Sequence, residues 1–314
     1  MEPENQQHRL PRRVRRGRRI EFVGIACGTG APDPGCGDAP ETLRRNGIAE
    51  MLTARGIPAL WNATLYADPA ATDPCSAVSG ICERLALRVP DIVSRGALPV
   101  VLGGDHSCAI GTWKGIAQAL APRGSLGLIW IDAHMDAHTL ETTPSGRPHG
   151  MPLACLLGYG APDLVTIGAG ARLDPEKVCL IGVRSFEAGE AGLLRRLGVR
   201  VIRMPEIRRR GLAAVMHEAL GIAAAGAAGF GVTLDLDALD PRDAPGVGSP
   251  VAGGIRAHEL LPALEPLARN TALAGVEIVE YNPHLDRDGK TGALVPELLA
   301  VMLGARRGVQ RRAA

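Results

Sequence analysis

Aromatic residues make up only 3% of this 314-residue chain, three each of Trp, Tyr and Phe. Val, Ile, Leu and Ala must therefore fill the interior, because few large rings are available to do so. No apolar run approaches the ~18 residues that a membrane span needs, which excludes a transmembrane role. Cys-x-x-Cys pairs are also lacking. The seven cysteines (Cys27, Cys36, Cys75, Cys82, Cys108, Cys155 and Cys179) are odd in number and scattered, which argues against a disulfide framework or a zinc knuckle and fits a reducing cytoplasm. Charge of one sign is nearly balanced, with a formal net charge of +2. That balance hides a basic arm, since Arg9, Arg12, Arg13, Arg15, Arg16, Arg18 and Arg19 crowd the first 19 residues and the remainder is mildly acidic. The arm has neither aromatic residues to stack on bases nor Ser-rich targeting composition, so it reads as solvated, and nucleic acid is not expected as a partner.

What is present is a globular composition, 46% hydrophobic and 22% charged, sized for one α/β domain over residues 20–314. Short apolar runs at Ile20 to Ala26, Leu60 to Tyr66, Leu98 to Leu102, Leu126 to Ile131, Val178 to Val183, Val199 to Met204, Phe230 to Leu236 and Leu273 to Val279 predict eight buried strands. Amphipathic stretches alternate with them. Leu43, Ile48, Met51 and Leu52 follow Asp38 and Pro40, and Leu260, Leu261, Leu264 and Leu267 form a stripe in Ala257 to Ala268. Such alternation implies a parallel sheet covered on both faces, with ligands bound beyond the carboxyl ends of the strands. The polar stretch Ala133 to His149 is too long for a simple connection and predicts a functional loop.

Six metal-capable side chains follow three of these strands. They are His106 in Gly-Gly-Asp-His-Ser, then Asp132, His134 and Asp136 in Asp-Ala-His-Met-Asp, then Asp235 and Asp237 in Leu-Asp-Leu-Asp. Alternate spacing would put Asp132, His134 and Asp136 on one face of an extended strand end. The Gly103-Gly104 pair is expected to permit a tight turn before His106. Taken singly, an Asp-x-Asp is more often a turn or cap, and a lone His more often structural. Together, four carboxylates carry about four negative charges, which two divalent cations would cancel and one would not. Oxygen donors with two imidazoles suit Mn²⁺ better than zinc or copper(I).

These motifs, with Ser145 to Ala154, Ile181 to Glu190, Asp-Leu-Asp-Ala-Leu-Asp-Pro, Pro-Gly-Val-Gly-Ser-Pro, Gly253-Gly254 and Glu280 to Pro283, resemble the arginase or ureohydrolase family over nearly the whole chain after the arm. The resemblance implies a three-layer α/β/α fold around an eight-stranded parallel sheet, two Mn²⁺ per chain, and a homotrimer or homohexamer. It implies that His106, Asp132, Asp136 and Asp235 hold one metal, and His134 and Asp237 the other with shared carboxylates. A hydroxide bridging the metals would attack the guanidinium carbon of L-arginine to give L-ornithine and urea. Asp136 would relay a proton to the leaving amine, His149 would shuttle protons or hold substrate, and Glu280 would pair with the guanidinium.

Where the family reads the amino-acid end of the substrate, this sequence departs from it. His138 and Arg147 stand in place of two Asn and Glu187 in place of an Asp, while Ser145 is kept. Arg147 is expected to grip a carboxylate and Glu187 an ammonium, with His138 and Arg147 facing solvent at the rim as the bland reading. Another guanidino or formimino acid remains an alternative substrate, of the guanidinobutyrate or formiminoglutamate kind. Agmatine is disfavoured by Arg147. A single-zinc deacetylase and a silent regulatory protein are the readings from other classes. The intact second ligand set argues against both.

Overall fold

The computed structural model describes residues 18–305. Eight strands, β1 (Ile20–Ala26), β2 (Ala59–Tyr66), β3 (Leu98–Leu102), β4 (Leu126–Ile131), β5 (Val178–Val183), β6 (Arg200–Arg203), β7 (Gly229–Asp235) and β8 (Leu273–Val279), form one sheet. All pairings between them are parallel, in the order β2-β1-β3-β8-β7-β4-β5-β6. The helices are α1 (Ala39–Arg45), α2 (Ile48–Ala54), α3 (Pro74–Ser94), α4 (Ala109–Leu120), α5 (Pro152–Leu156), α6 (Pro162–Val165), α7 (Ala188–Leu197), α8 (Met204–Arg210), α9 (Leu212–Ala224), α10 (Ala257–Leu264) and α11 (Lys290–Leu303).

The period of two along each strand divides the core into two layers. Val100 and Leu102, Ile129 and Ile131, and Ile181 face one side, where α1, α2, α8, α9, α10 and α11 pack. Val101, Leu128 and Trp130, and Leu180 face the other, under α3, α4, α5, α6 and α7. The molecule is a three-layer α/β/α sandwich. Central strands are buried along their whole length, as both-face coverage requires.

Four local expectations differ from the structure. Two of the eight strands expected to be buried, β2 and β6 at the edges of the sheet, are largely part-exposed. The apolar pattern of Leu43 to Leu52 is not one helix, because Gly47 takes φ 74° and separates α1 from α2, which leaves Met51 exposed. The stripe through Leu267 spans two elements, since α10 gives way at Glu265 to a 3-10 turn, Glu265–Arg269. Arg18 and Arg19, assigned to the basic arm, are fixed to the body: Arg18 donates to Leu273 O (2.8 Å) and Ala97 O (2.8 Å), and Arg19 pairs with buried Glu21. The rest of the arm lies outside the described residues.

Strands β3, β8, β7, β4 and β5 are contiguous in the sheet. The chain leaves β3 for β4 across the places later filled by β8 and β7, a switch point at which parallel sheets open a crevice beyond their carboxyl ends. Every candidate site residue follows one of these five strands.

Candidate metal centre

After β3 the chain passes Gly103 and Gly104 and enters a 3-10 turn, His106–Cys108, capped by Asp105. Neither glycine has positive φ, so their value is space rather than conformational freedom. A Cβ on Gly103 would stand 2.7 Å from Val279 Cγ1, and one on Gly104 would collide with Cys27 O. This close approach brings His106 against β8, where its N–H donates to Glu280 Oε1 (2.9 Å).

Asp132, His134 and Asp136 lie beyond the end of β4, and they do not form an extended row. Asp136 has φ 49°, a left-handed conformation that is costly for a non-glycine residue. Three side chains aimed at one small volume require the chain to curl, and the curl is held by Leu153 N donating to Asp136 O (2.8 Å) and His138 N to Gly150 O (3.0 Å). Asp132 is fixed by Trp130 Nε1 (2.8 Å) and by His134 N (2.7 Å). Asp235 ends β7, and Asp237 follows in a 3-10 turn whose N–H donates to Asp235 Oδ1 (2.8 Å). The spacing of two recurs here as turn capping, not as strand pleat.

The six ligands converge. His106, Asp132, Asp136 and Asp235 bring ligand atoms within 4.8 Å of one another, as do Asp132, His134 and Asp237, so Asp132 belongs to both sets. Protons identify what the cluster needs. Thr233 Oγ1 donates to Glu277 Oε2 (2.7 Å) and so accepts from His106 Nε2 (3.1 Å), a tautomer assigned from the hydrogen-bond network. His106 Nδ1 then carries a lone pair. It lies 2.9 Å from Asp136 Oδ2, 3.2 Å from Asp235 Oδ2 and 3.3 Å from Asp132 Oδ2, yet it is buried without a hydrogen bond. A lone pair among three anionic oxygens calls for a cation. The donor set, four carboxylates and two imidazoles, fits two divalent metal ions.

The same field governs titration. Burial opposes a charged imidazole, but contact with Asp132, Asp136 and Asp235 raises His106 well above its ordinary pKa. Burial and the charge of Asp132 push Asp136 up to about 7. Proton and metal therefore compete for one set of atoms.

Beside the ligands is a cavity of about 140 Å³, lined by His134, Asp136, Asp235, Asp237 and Glu280 at its buried end. Glu280, φ 65°, is buried and pushed well above the carboxylate range by desolvation and by Asp105. Its Oε1 lies 3.9 Å from His149 Nδ1. Burial, reinforced by neighbouring positive charge, takes His149 down to about 4, so it is a neutral imidazole at physiological pH rather than one poised near its usual value.

At the exposed end His138, Ser145, Glu187 and Ser249 line the cavity, joined by buried Glu190. His138 does not face solvent. It is 7% exposed, with Nε2 3.0 Å from Glu187 Oε2 and 3.3 Å from Glu190 Oε2 and Nδ1 3.2 Å from Thr142 Oγ1. Arg147 is not among the lining residues, and the carboxylate grip expected of it is not formed by the cavity wall. Glu190 is the residue that sequence reasoning passed over. It receives Glu187 N (2.9 Å) and Ala137 N (3.3 Å), and burial, with the Glu187 and Asp136 carboxylates, pushes it up to about 8. Its only signal was a position three residues after Glu187, which reads as an ordinary helix-start carboxylate.

The sequence profile of the arginase family matches residues 18–304. The chain belongs to the arginase family. It is 39% identical over 297 residues to the arginase of Brevibacillus brevis, covering 91% of this chain and 97% of that one. It is also 45% identical over 229 residues to the arginase of Bacillus caldovelox, 73% and 76% of the two chains. The solved structure of the Bacillus caldovelox arginase superposes with a TM-score of 0.86 at 38% identity, over 93% of this chain and 100% of that one. The superposition thus covers nearly the whole chain, including the three strands whose ends carry the metal ligands.

Proposed function

We propose that this protein is a manganese arginase that hydrolyses L-arginine to L-ornithine and urea. The observation that carries the reading is the pairing of two cation-seeking ligand sets with a buried carboxylate, Glu280, across one cavity whose other end presents a second pair of carboxylates, Glu187 and Glu190. A substrate with a cationic head and a cationic amino group meets a carboxylate at each end. The matching full-length relatives carry the name arginase.

His106, Asp132, Asp136 and Asp235 would hold one ion, and Asp132, His134 and Asp237 the other. A divalent pair held there acidifies water and so supplies a nucleophile at neutral pH. Glu280 orients the planar guanidinium and lies close enough to His149 for the two to act on one substrate group. Asp136, a ligand that also lines the cavity, would carry a proton to the departing amine. Neutral His149 accepts or donates a hydrogen bond without adding charge beside the guanidinium. Ser145 and the Glu187, Glu190 and His138 cluster receive the amino-acid end, while Arg147 acts from outside the cavity wall.

Manganese is favoured by the oxygen-rich donor set. A homotrimer or homohexamer and a cytoplasmic location belong to the same reading. Seven free cysteines, six of them buried, suit a reducing compartment, and no helix among the described residues is long and apolar enough to cross a membrane. The test is urea release by the manganese-loaded protein over a panel of L-arginine, agmatine, guanidinobutyrate and formiminoglutamate. Turnover of L-arginine well above the others is expected, and its absence would sink the proposal.

A further inference from the structure

Arg184 follows β5 and sits outside both ligand sets, yet its guanidinium spends all but one of its hydrogen bonds on main-chain carbonyls of the loop after β7. Nη2 donates to Asp237 O (2.7 Å), Val251 O (2.7 Å) and Leu239 O (3.3 Å), Nη1 to Ala238 O (3.1 Å) and Gly182 O (3.3 Å), and Nε to Val251 O (3.3 Å). Among the described residues it forms no ion pair. In the sheet β4 lies between β5 and β7, so the side chain reaches over the strand that carries Asp132 and His134 to fasten the turn that carries Asp237. Its own N–H donates to Ala133 O (2.8 Å), between those same two ligands.

We propose that Arg184 is a positioning residue that sets the spacing of Asp132, His134 and Asp237, and so selectively controls retention of the second cation. The inference rests on the two-cation reading above. Selectivity comes from how each ligand is held. Asp235 lies within the ladder, paired with Val279 of β8, and His106 is anchored by Thr233 and Glu280. Asp237 lies beyond the ladder in a short turn, and its carbonyl is tied down by Arg184.

Two glycines make room for this strap. A Cβ on Gly254 would stand 2.6 Å from Arg184 Nη2 and 2.6 Å from Leu239 C, which accounts for the second glycine of the Gly253-Gly254 pair. Gly182, at φ 105°, would place a Cβ 2.8 Å from Asp132 O, so β5 closes on the ligand strand only without a side chain there. The planar fork is what the geometry uses, since five N–H groups in fixed directions reach several carbonyls at once, whereas a Lys ammonium offers three donors from a single point.

The test is manganese binding to the full-length wild type, Arg184→Met and Arg184→Lys, read as ions retained per chain after dialysis and as electron paramagnetic resonance of the coupled ion pair. Wild type is expected to retain two ions. Arg184→Met should retain one, bind the second at least tenfold more weakly, and show the spectrum of an isolated ion, with Arg184→Lys intermediate. Excess manganese should restore the coupled signal. Unchanged affinity for both ions in Arg184→Met, or loss of both together from a folded protein, would overturn the inference. Wild type holding fewer than two ions would instead sink the two-cation reading, and this inference with it. Should Arg184→Met fail to fold, Arg184→Lys, which keeps the charge but not the planar fork, must show the same selective weakening or the inference fails.

Discussion

His106 Nε2 donates to Thr233 Oγ1 at 3.1 Å, and that one contact determines which face of the imidazole meets the metal centre. Because Thr233 passes its own proton to buried Glu277, the lone pair of His106 is left on Nδ1, toward Asp132, Asp136 and Asp235. Outer partners of this kind orient a ligand and raise its basicity.

Thr233→Val keeps the shape of the side chain but removes the hydroxyl, leaving the donor on His106 unpaired while Glu277 still accepts from Trp113 and Thr112. Metal affinity should fall roughly 10–100-fold. Manganese titration by calorimetry checks this, and an unchanged affinity would mean that the Thr233 contact does not orient the ring.

Glu280→Gln removes the charge expected to face the guanidinium and keeps a side-chain oxygen to accept from His106 N. The loss in kcat/KM should be on the order of a hundredfold or more, as for other truncated buried charge pairs. Metal content should stay at the wild-type value. Loss of metal together with activity would assign Glu280 to the metal centre instead.

Glu190 governs a pH dependence. Burial pushes its carboxyl up to about 8 from an ordinary value of 4.5, so below about 8 it is protonated and a poorer acceptor for an ammonium. KM for L-arginine should therefore fall as pH rises through about 8, and Glu190→Gln should flatten that profile. The stability linkage has the opposite sense: the contribution of the raised pKa is fully present below about 4.5 and is lost as pH rises through about 8. Denaturant titrations of wild type and Glu190→Gln should agree at acid pH, where the carboxyl is neutral like the amide, and diverge above about 8 as the wild type loses stability. A KM independent of pH in the wild type would remove Glu190 from substrate binding.

Metal removal should cost stability, because only protons on the histidines and Asp136 then offset the charge of the aspartates. Manganese at about a hundred times its dissociation constant adds roughly 2.7 kcal/mol by mass action, which corresponds to several degrees in Tm for a chain of this size. Thermal melts with chelator and with manganese measure it. Coincident midpoints would show that the cluster does not bind the ion.

Much of this site was legible before the fold was known. The strand predictions end within a residue of the structural ones, because strands buried on both faces read as continuous apolar runs, and the six ligands stand out because clustered Asp and His after such runs have few structural uses. Less was legible where the backbone departs from regular geometry. Asp136 was assigned to an extended row, but the curl at φ 49° is imposed by Leu153 and Gly150, contacts over a dozen residues away that no local pattern contains. Met51 was assigned to a buried stripe because the break at Gly47 changes which face α2 presents.

By itself, then, the sequence determined the sheet, the order of its elements and the identity of the metal-capable side chains, since each depends on local periodicity or on residue type. Tertiary structure alone decided which proton His106 carries, that His138 turns inward between Glu187 and Glu190, that Arg147 stays off the cavity wall, and that Arg184 reaches over β4 to Asp237. Those are outcomes of distances between strands distant in sequence. Hydrogen bonds and electrostatic fields depend on such distances within a few ångströms, and they come into being only when the five central strands align.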